Sequence, residues 1–457
     1  MLRTILCTAL LWLPLLGESA DWIYTARYVV TMDAERRLIE NGAIAIKGDR
    51  ILAAGPRAEI ERRFQARQRL DRPQALIMPG LINTHTHAAM SLLRGIADDL
   101  HLQDWLTKFI FPAEAKNVTP DFVLWGTRLA CLEMMLSGTT TFVDMYYYED
   151  RAAEAVIGAG MRGILGETVI GFPVADAKTP ADSLRFTESF IQRYKNDPLV
   201  VATVAPHAVY TVNDEDLRAC RRLATKYSVP LVIHLAETKH ENDEQLSKRG
   251  MTATGVMNAI GVFDGPTIAA HGVWLDERDI GILKTHNVGV AHCPSSNMKL
   301  ASGVAPVLKL LAAGIFVGLG TDGPAGSNND FDMLEEVNLS SNLQKVTSGD
   351  PTALPARQAL EMATILGAKA IGMDREIGSL EAGKRADLIT VRLDRPHAVP
   401  LYNVYSQLAY ALKGSDVQDV MVNGRPIVRD GQSLTLDKGL VLAKAREYQM
   451  KVSQSLK

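Results

Sequence analysis

Two histidines two residues apart, His85 and His87, close the run Pro79-Gly80-Leu81-Ile82-Asn83-Thr84-His85-Thr86-His87. On a strand, residues i and i+2 share a face, so both imidazoles point the same way at the strand's end. Paired imidazoles are ready ligands for a divalent cation. His234 sits in a second apolar run, Leu231-Val232-Ile233-His234-Leu235-Ala236-Glu237, and Asp322 follows Val317-Gly318-Leu319-Gly320-Thr321. Taken singly, His234 reads as a hydrogen-bonded core histidine and Asp322 as a helix cap. As a set, three imidazoles and a carboxylate suit one zinc ion or another borderline divalent metal. A catalytic metal keeps an open position for water and lowers its pKa toward about 7. Asp322 can then take a proton from that water. Glu237, three residues past His234, reaches toward a substrate and can donate a proton there. His271, at the end of another apolar run, can hold the activated water or polarise developing charge.

These residues need a scaffold that brings distant segments to one place. Eight strand-like runs alternate with helix-length segments. They end at His85-Thr86-His87, Thr141 to Asp144, Ile164 to Glu167, Val204 to His207, Ile233 to Glu237, Ala269 to His271, Val290 to Cys293 and Gly318 to Asp322. Amphipathic helix patterns lie between most of them, as in Asp121 to Met135, Asp214 to Lys226 and Asp332 to Leu343. Eight such units predict a (β/α)8 barrel, whose chemistry gathers at the C-terminal ends of its strands. Nearly every run carries its polar residue at that end. The barrel is expected over residues 79–375.

Both flanks are β-rich. Ile23 to Thr31, Gly42 to Lys47 and Ile51 to Gly55 precede the barrel, with Gly48-Asp49 as a turn. Asp387 to Val391, Val417 to Val422 and Pro426 to Val428 follow it, and Asn423-Gly424 is a strong hairpin signal. Neither flank is large enough to hold its own core. Residues 21–78 and 376–457 are therefore expected to build one small β-sandwich domain from both chain ends.

A net charge of −3 and a charged content of 22% exclude the basic surface that nucleic acid requires. No run after the N-terminus reaches the 18 or so apolar residues of a membrane span, so stable membrane association is not expected. Residues 1–20 have the layout of a secretory signal peptide: Arg3, an apolar stretch from Ile5 to Leu16, then Gly17-Glu18-Ser19-Ala20. Cutting after Ala20 leaves Glu18 at the −3 position; cutting after Ser19 leaves Gly17 there. The protein is periplasmic or secreted if that leader operates and cytoplasmic otherwise. Without Cys7, three cysteines remain, too few and odd in number for a disulfide framework. No oligomer interface is readable, and a homo-oligomer is compatible with the sequence.

The motifs resemble the amidohydrolase superfamily. The likeness rests on PGLINTHTH, His234 with Glu237, His271, and the GTDG at Gly320 to Gly323. A finer likeness is to the 5′-methylthioadenosine/S-adenosylhomocysteine deaminases. It rests on His85 to Leu106, Phe111 to Asn117, Ala205 to Thr211, Ile233 to Glu241, His292 to Gly303 (HCPSSNMKLASG) and Gly320 to Asp330. The resemblance implies hydrolytic deamination of an adenine nucleoside, with a nucleoside as the small-molecule partner. It assigns the metal to His85, His87, His234 and Asp322, proton shuttling to Glu237, and support of the attacking water to His271. It implies that Glu114 grips the ribose hydroxyls, since a carboxylate accepts two hydrogen bonds at once. Trp105 would pack on the substrate and His207 would contact the nucleoside. Binuclear relatives carry a lysine after the fourth strand; Ala205-Pro206-His207 has none, so one metal per subunit is expected. Some relatives carry an arginine where this chain has Glu167, and a carboxylate there would repel a homocysteine carboxylate. On that basis 5′-methylthioadenosine or adenosine ranks ahead of S-adenosylhomocysteine, with apolar Val169, Ile170 and Phe172 suiting a methylthio group. The rivals are an s-triazine or guanine hydrolase on the same scaffold, and a barrel that binds without catalysing.

Overall fold

The structure, a computed structural model, describes residues 18–456. The expected leader lies outside them except for Glu18–Ala20, which open the first strand and pair with Phe64–Ala66.

Eight parallel strands form the centre: β1 (Leu81–Thr86), β2 (Thr139–Tyr146), β3 (Arg162–Val169), β4 (Val200–Pro206), β5 (Leu231–Leu235), β6 (Thr267–His271), β7 (Gly289–His292) and β8 (Val317–Leu319). Each lies beside its neighbour in sequence. The last strand returns to the first through Asp322 N–H donating to His85 O at 3.0 Å and Thr84 Oγ1 donating to Leu319 O at 2.9 Å. Closure brings the backbones close at Gly320, where a Cβ would stand 2.9 Å from His85 N. Only glycine fits there. Ile82, Val143, Ile164, Val232, Ile268 and Ala291 pack in one cluster with Ile371 and Ile377, so the strands enclose side chains rather than a pore. The eight expected runs are these eight strands.

A second eight-stranded sheet draws on both chain ends. Its order is Gln432–Ser433, Arg425–Arg429, Val417–Val422, Leu388–Arg392, Phe64–Pro79, Glu18–Val30, Leu38–Lys47, Arg50–Pro56. The two turns read from the sequence meet in space. A Cβ on Gly424 would lie 1.9 Å from Gly48 O, and Arg385 donates to Asn423 Oδ1 at 3.0 Å and to the Asp49 carboxylate. Ile44 and Ile51 from one flank and Leu388 and Met421 from the other share one core. Cys131, Cys220 and Cys293 are buried free thiols.

Arg162 on β3 joins barrel to sheet. Its guanidinium holds both oxygens of Asp387 at 3.0 and 3.2 Å, and both side chains are buried. Removing one partner of a buried pair strands the other charge. Asp387→Ala is expected to lower stability by about 3–5 kcal/mol, read as a shift in the urea midpoint. An unchanged midpoint would mean that water relieves the exposed guanidinium.

Candidate active site

The C-terminal mouth of the barrel gathers the expected residues. One pocket is lined by His87, Trp105, Glu114, His207, His234, Glu237, His271 and Asp322, with His85 buried beneath. His85 and His87 come from the end of β1, His207 from the end of β4, and His234 from β5. Asp322 follows β8 in a left-handed conformation (φ 63°), and His271 ends β6 with φ 72°. Non-glycine residues held there cost of order 1–3 kcal/mol each.

The imidazoles are aimed. His87 Nδ1 bonds Met145 O at 2.7 Å, and His234 Nδ1 bonds His207 O at 2.9 Å. A carbonyl only accepts, so each Nδ1 carries a hydrogen and each Nε2 faces inward. Those two Nε2 atoms are 3.2 Å apart. With both rings neutral their lone pairs would repel, and a shared cation or a proton on His87 relieves that. Asp322 Oδ1 completes the cluster at 3.4 Å from His85 Nε2 and 3.3 Å from His87 Nε2. Both ring nitrogens of His85 are buried without a hydrogen-bond partner. Burial opposes a charge on His87, yet Asp322 outweighs it and lifts that imidazole to about 9. Burial also opposes the Asp322 charge, and His85 with His87 outweighs that and holds the carboxyl well below its usual range. The nest is built for positive charge, and its nitrogen and oxygen donors fit zinc. Donor atoms within 4.8 Å of one another form two groups that share His85: His85/His87/Asp322, and His85/His234 with His271 added.

Around this nest stand the proton-handling groups. Glu237 follows β5, is buried, and has its carboxyl raised by that burial. Its Oε2 is 3.8 Å from His271 Nε2. The turn carrying it is held by Glu241, whose carboxylate accepts the N–H of Ala236 at 3.1 Å and of Glu237 at 2.9 Å. In sequence, Thr238-Lys239-His240-Glu241 matches a capping box. The expected reciprocal bond is replaced: the carboxylate reaches past Thr238 to the turn.

Glu114 projects from the helix Phe111–Asn117. Its Oε1 accepts from Tyr146 at 2.7 Å and its Oε2 from Tyr147 at 3.5 Å, and burial lifts its carboxyl to about 7. These tyrosines at the end of β2 went unnoticed in sequence because they resemble ordinary apolar strand residues. Trp105 lines the pocket with its indole N–H donated to Ala325 O at 3.0 Å. His207 bonds Thr211 Oγ1 at 2.8 Å, and burial lowers it to about 3. It faces the pocket as a neutral ring.

Glu167 is a correction. It lies on β3, but the residue lining the pocket is Thr168. Glu167 is fully buried behind the wall and accepts the Glu149 N–H at 3.1 Å. Adjacent strand residues face opposite ways, so Glu167 and Thr168 point to opposite sides of β3. Val169 and Ile170 are likewise buried outside the lining. Phe172 does face a hollow that opens beside Glu114, with Phe111, Tyr147, Pro173, Val174 and Ala175.

Cation-centred barrels with chemistry at the strand ends form a broad class of hydrolases. Comparison with known proteins narrows it: the amidohydrolase family model matches residues 76–427, and the chain belongs to that family. It is 45% identical over 440 residues to a 5-methylthioadenosine/S-adenosylhomocysteine deaminase of Syntrophus aciditrophicus, covering 96% of this chain and 99% of the relative. It is 42% identical over 429 residues to a 5′-deoxyadenosine deaminase of Methanosarcina acetivorans, covering 93% and 97%. Among solved structures, an adenosine deaminase of Xanthomonas campestris with bound zinc superposes with a TM-score of 0.94 at 37% identity, covering 96% of this chain and all of that one. Among the described residues, no helix is long and apolar enough to cross a membrane.

Proposed function

We propose that the protein is a zinc-dependent aminohydrolase that converts adenine nucleosides to the inosine analogue and ammonia. The observation that carries the reading is the meeting, in one pocket, of the cation nest with Glu237 on one side and the tyrosine-held Glu114 on the other. His85, His87, His234 and Asp322 would hold the metal. When bound, zinc lowers the pKa of a coordinated water toward about 7 and makes it a nucleophile at neutral pH.

The protein's groups do the rest. Asp322 would take a proton from the attacking water as the water oxygen bonds to C6 of the purine. Glu237, whose carboxyl burial raises, gives a proton to ring N1. The C6–N6 bond then breaks, N6 departs as ammonia with a proton returned from Asp322, the remaining hydroxyl proton passes to Glu237 as the C6 carbonyl forms, and N1–H stays in the product. His271, 3.8 Å from Glu237, steadies the charge that develops between them. Glu114 accepts the ribose hydroxyls, and Trp105 and His207 complete the walls.

The hollow beside Glu114 is lined by Glu114, Tyr147 and six apolar residues, with no cation among them. It supports a small uncharged 5′ substituent, so 5′-methylthioadenosine ranks ahead of S-adenosylhomocysteine for a reason other than Glu167. The test is ammonia release by zinc-loaded protein on 5′-methylthioadenosine, S-adenosylhomocysteine, adenosine, guanine and an amino-s-triazine. Turnover of the three nucleosides alone is expected. Turnover of guanine or the triazine alone would overturn the reading of Glu114.

A further inference from the structure

The motif His292 to Gly303 has no part in the chemistry above, yet its centre touches two of the reacting groups. It folds into the short helix Pro294–Lys299 beyond β7. Ser296 Oγ donates to Asp322 Oδ2 at 2.7 Å, while Oδ1 of the same carboxylate faces His85 and His87. Oδ1 also accepts the Gly323 N–H at 2.7 Å. With one oxygen fixed by the hydroxyl, the other is turned to the nest. The next residue, Asn297, offers Oδ1 to His271 Nδ1 at 3.0 Å. An amide oxygen only accepts, so Nδ1 carries the hydrogen and Nε2 presents its lone pair toward Glu237. Ser296 and Asn297 are both fully buried.

The helix is itself tied down. The buried Glu336 accepts the Ser295 N–H at 3.2 Å and the Asn328 amide at 3.1 Å. Asn328 in turn donates to Thr321 O at 2.9 Å, next to Asp322. Asp322 and His271 are two of the left-handed residues of the site, and such backbone persists only where the surroundings over-determine it. Both are the residues this helix grips.

We infer that the helix Pro294–Lys299 is the positioning element of the site, with Ser296 orienting the Asp322 carboxylate and Asn297 fixing the tautomer and angle of His271. The inference rests on the deaminase reading for its kinetic arm and is independent of it for its metal arm. Groups that orient ligands and bases typically matter by about 10–100-fold. In the full-length protein, Ser296→Ala is expected to weaken zinc binding by about 10–100-fold in a chelator competition run without substrate. Asn297→Leu is expected to lower kcat by about 10–100-fold with KM within about twofold. Asn297→Asp keeps an acceptor at the same place and should recover most of that loss. The imidazole 15N shifts of His271 should report Nδ1–H in the wild type and in Asn297→Asp, and a changed tautomer mixture in Asn297→Leu. Wild-type zinc affinity in Ser296→Ala would overturn the Ser296 role. An Asn297→Asp protein as slow as Asn297→Leu, with both melting early, would reduce Asn297 to packing. A wild-type protein inert on every nucleoside would overturn the functional reading and leave the zinc result to decide this one.

Discussion

Glu237→Gln is expected to lower kcat on 5′-methylthioadenosine by about 10²–10⁴-fold, the range of a general acid, with zinc content unchanged. The glutamine has the same shape and keeps its place above Glu241, whose carboxylate holds the turn through main-chain N–H groups rather than through the Glu237 side chain. What is lost is a transferable proton. Burial raises the Glu237 carboxyl, so that it holds a proton at a pH where an exposed glutamate has lost it. KM should move little, because the interaction is made mainly in the transition state. Near-normal turnover with zinc bound would remove Glu237 from the proton path and leave His271 as the nearest candidate.

Asp322→Asn acts on two steps at once and should be at least as severe, with kcat down by about 10³-fold or more on general-base grounds alone. The carboxamide can still accept from Ser296, so the loop after β8 should keep its course. It cannot take up a proton, and it withdraws the negative charge that faces His85 and His87. Zinc affinity should therefore fall along with turnover, in contrast to Glu237→Gln. Metal analysis before and after dialysis against a chelator separates the two variants. A tightly metallated but inactive Asp322→Asn would confine Asp322 to proton transfer; an active one would take it out of the mechanism.

The barrel was legible because parallel strands buried on both faces read as continuous apolar runs. The histidines at their ends stood out against that background: His85, His87 and Asp322 place their donor atoms within 4.8 Å of one another, and His234 Nε2 lies 3.2 Å from His87 Nε2. Residues that hold other residues were harder to read. Glu241, Ser296 and Asn297 act through hydrogen bonds across space, and nothing in their local spacing announces a distant partner. The strand Phe64–Pro79 was missed for a different reason. Its first half, Phe64 to Arg72, is mostly polar, with only Phe64, Ala66 and Leu70 apolar, and side chains such as Arg69 and Arg72 pair with Glu61 and Asp419. Its strand state comes from parallel pairing with Glu18–Val30, a tertiary cause that overrides local pattern. At Glu167, one residue of register separates a pocket wall from the buried layer behind it.

The same strand has a history during synthesis. Its apolar end, Ala75–Pro79, pairs on one side with Leu388–Arg392, which the ribosome makes about 310 residues later. At about 5–20 residues per second, that edge waits roughly 15–60 s for its partner. An open edge is a template for foreign strands. The barrel can close while this edge is still bare, so the nascent chain passes through a state with its catalytic half formed and its second sheet incomplete. Crowded or rapid expression should divert that species into aggregates, and a nascent-chain chaperone should be most useful in the interval before residue 388 emerges.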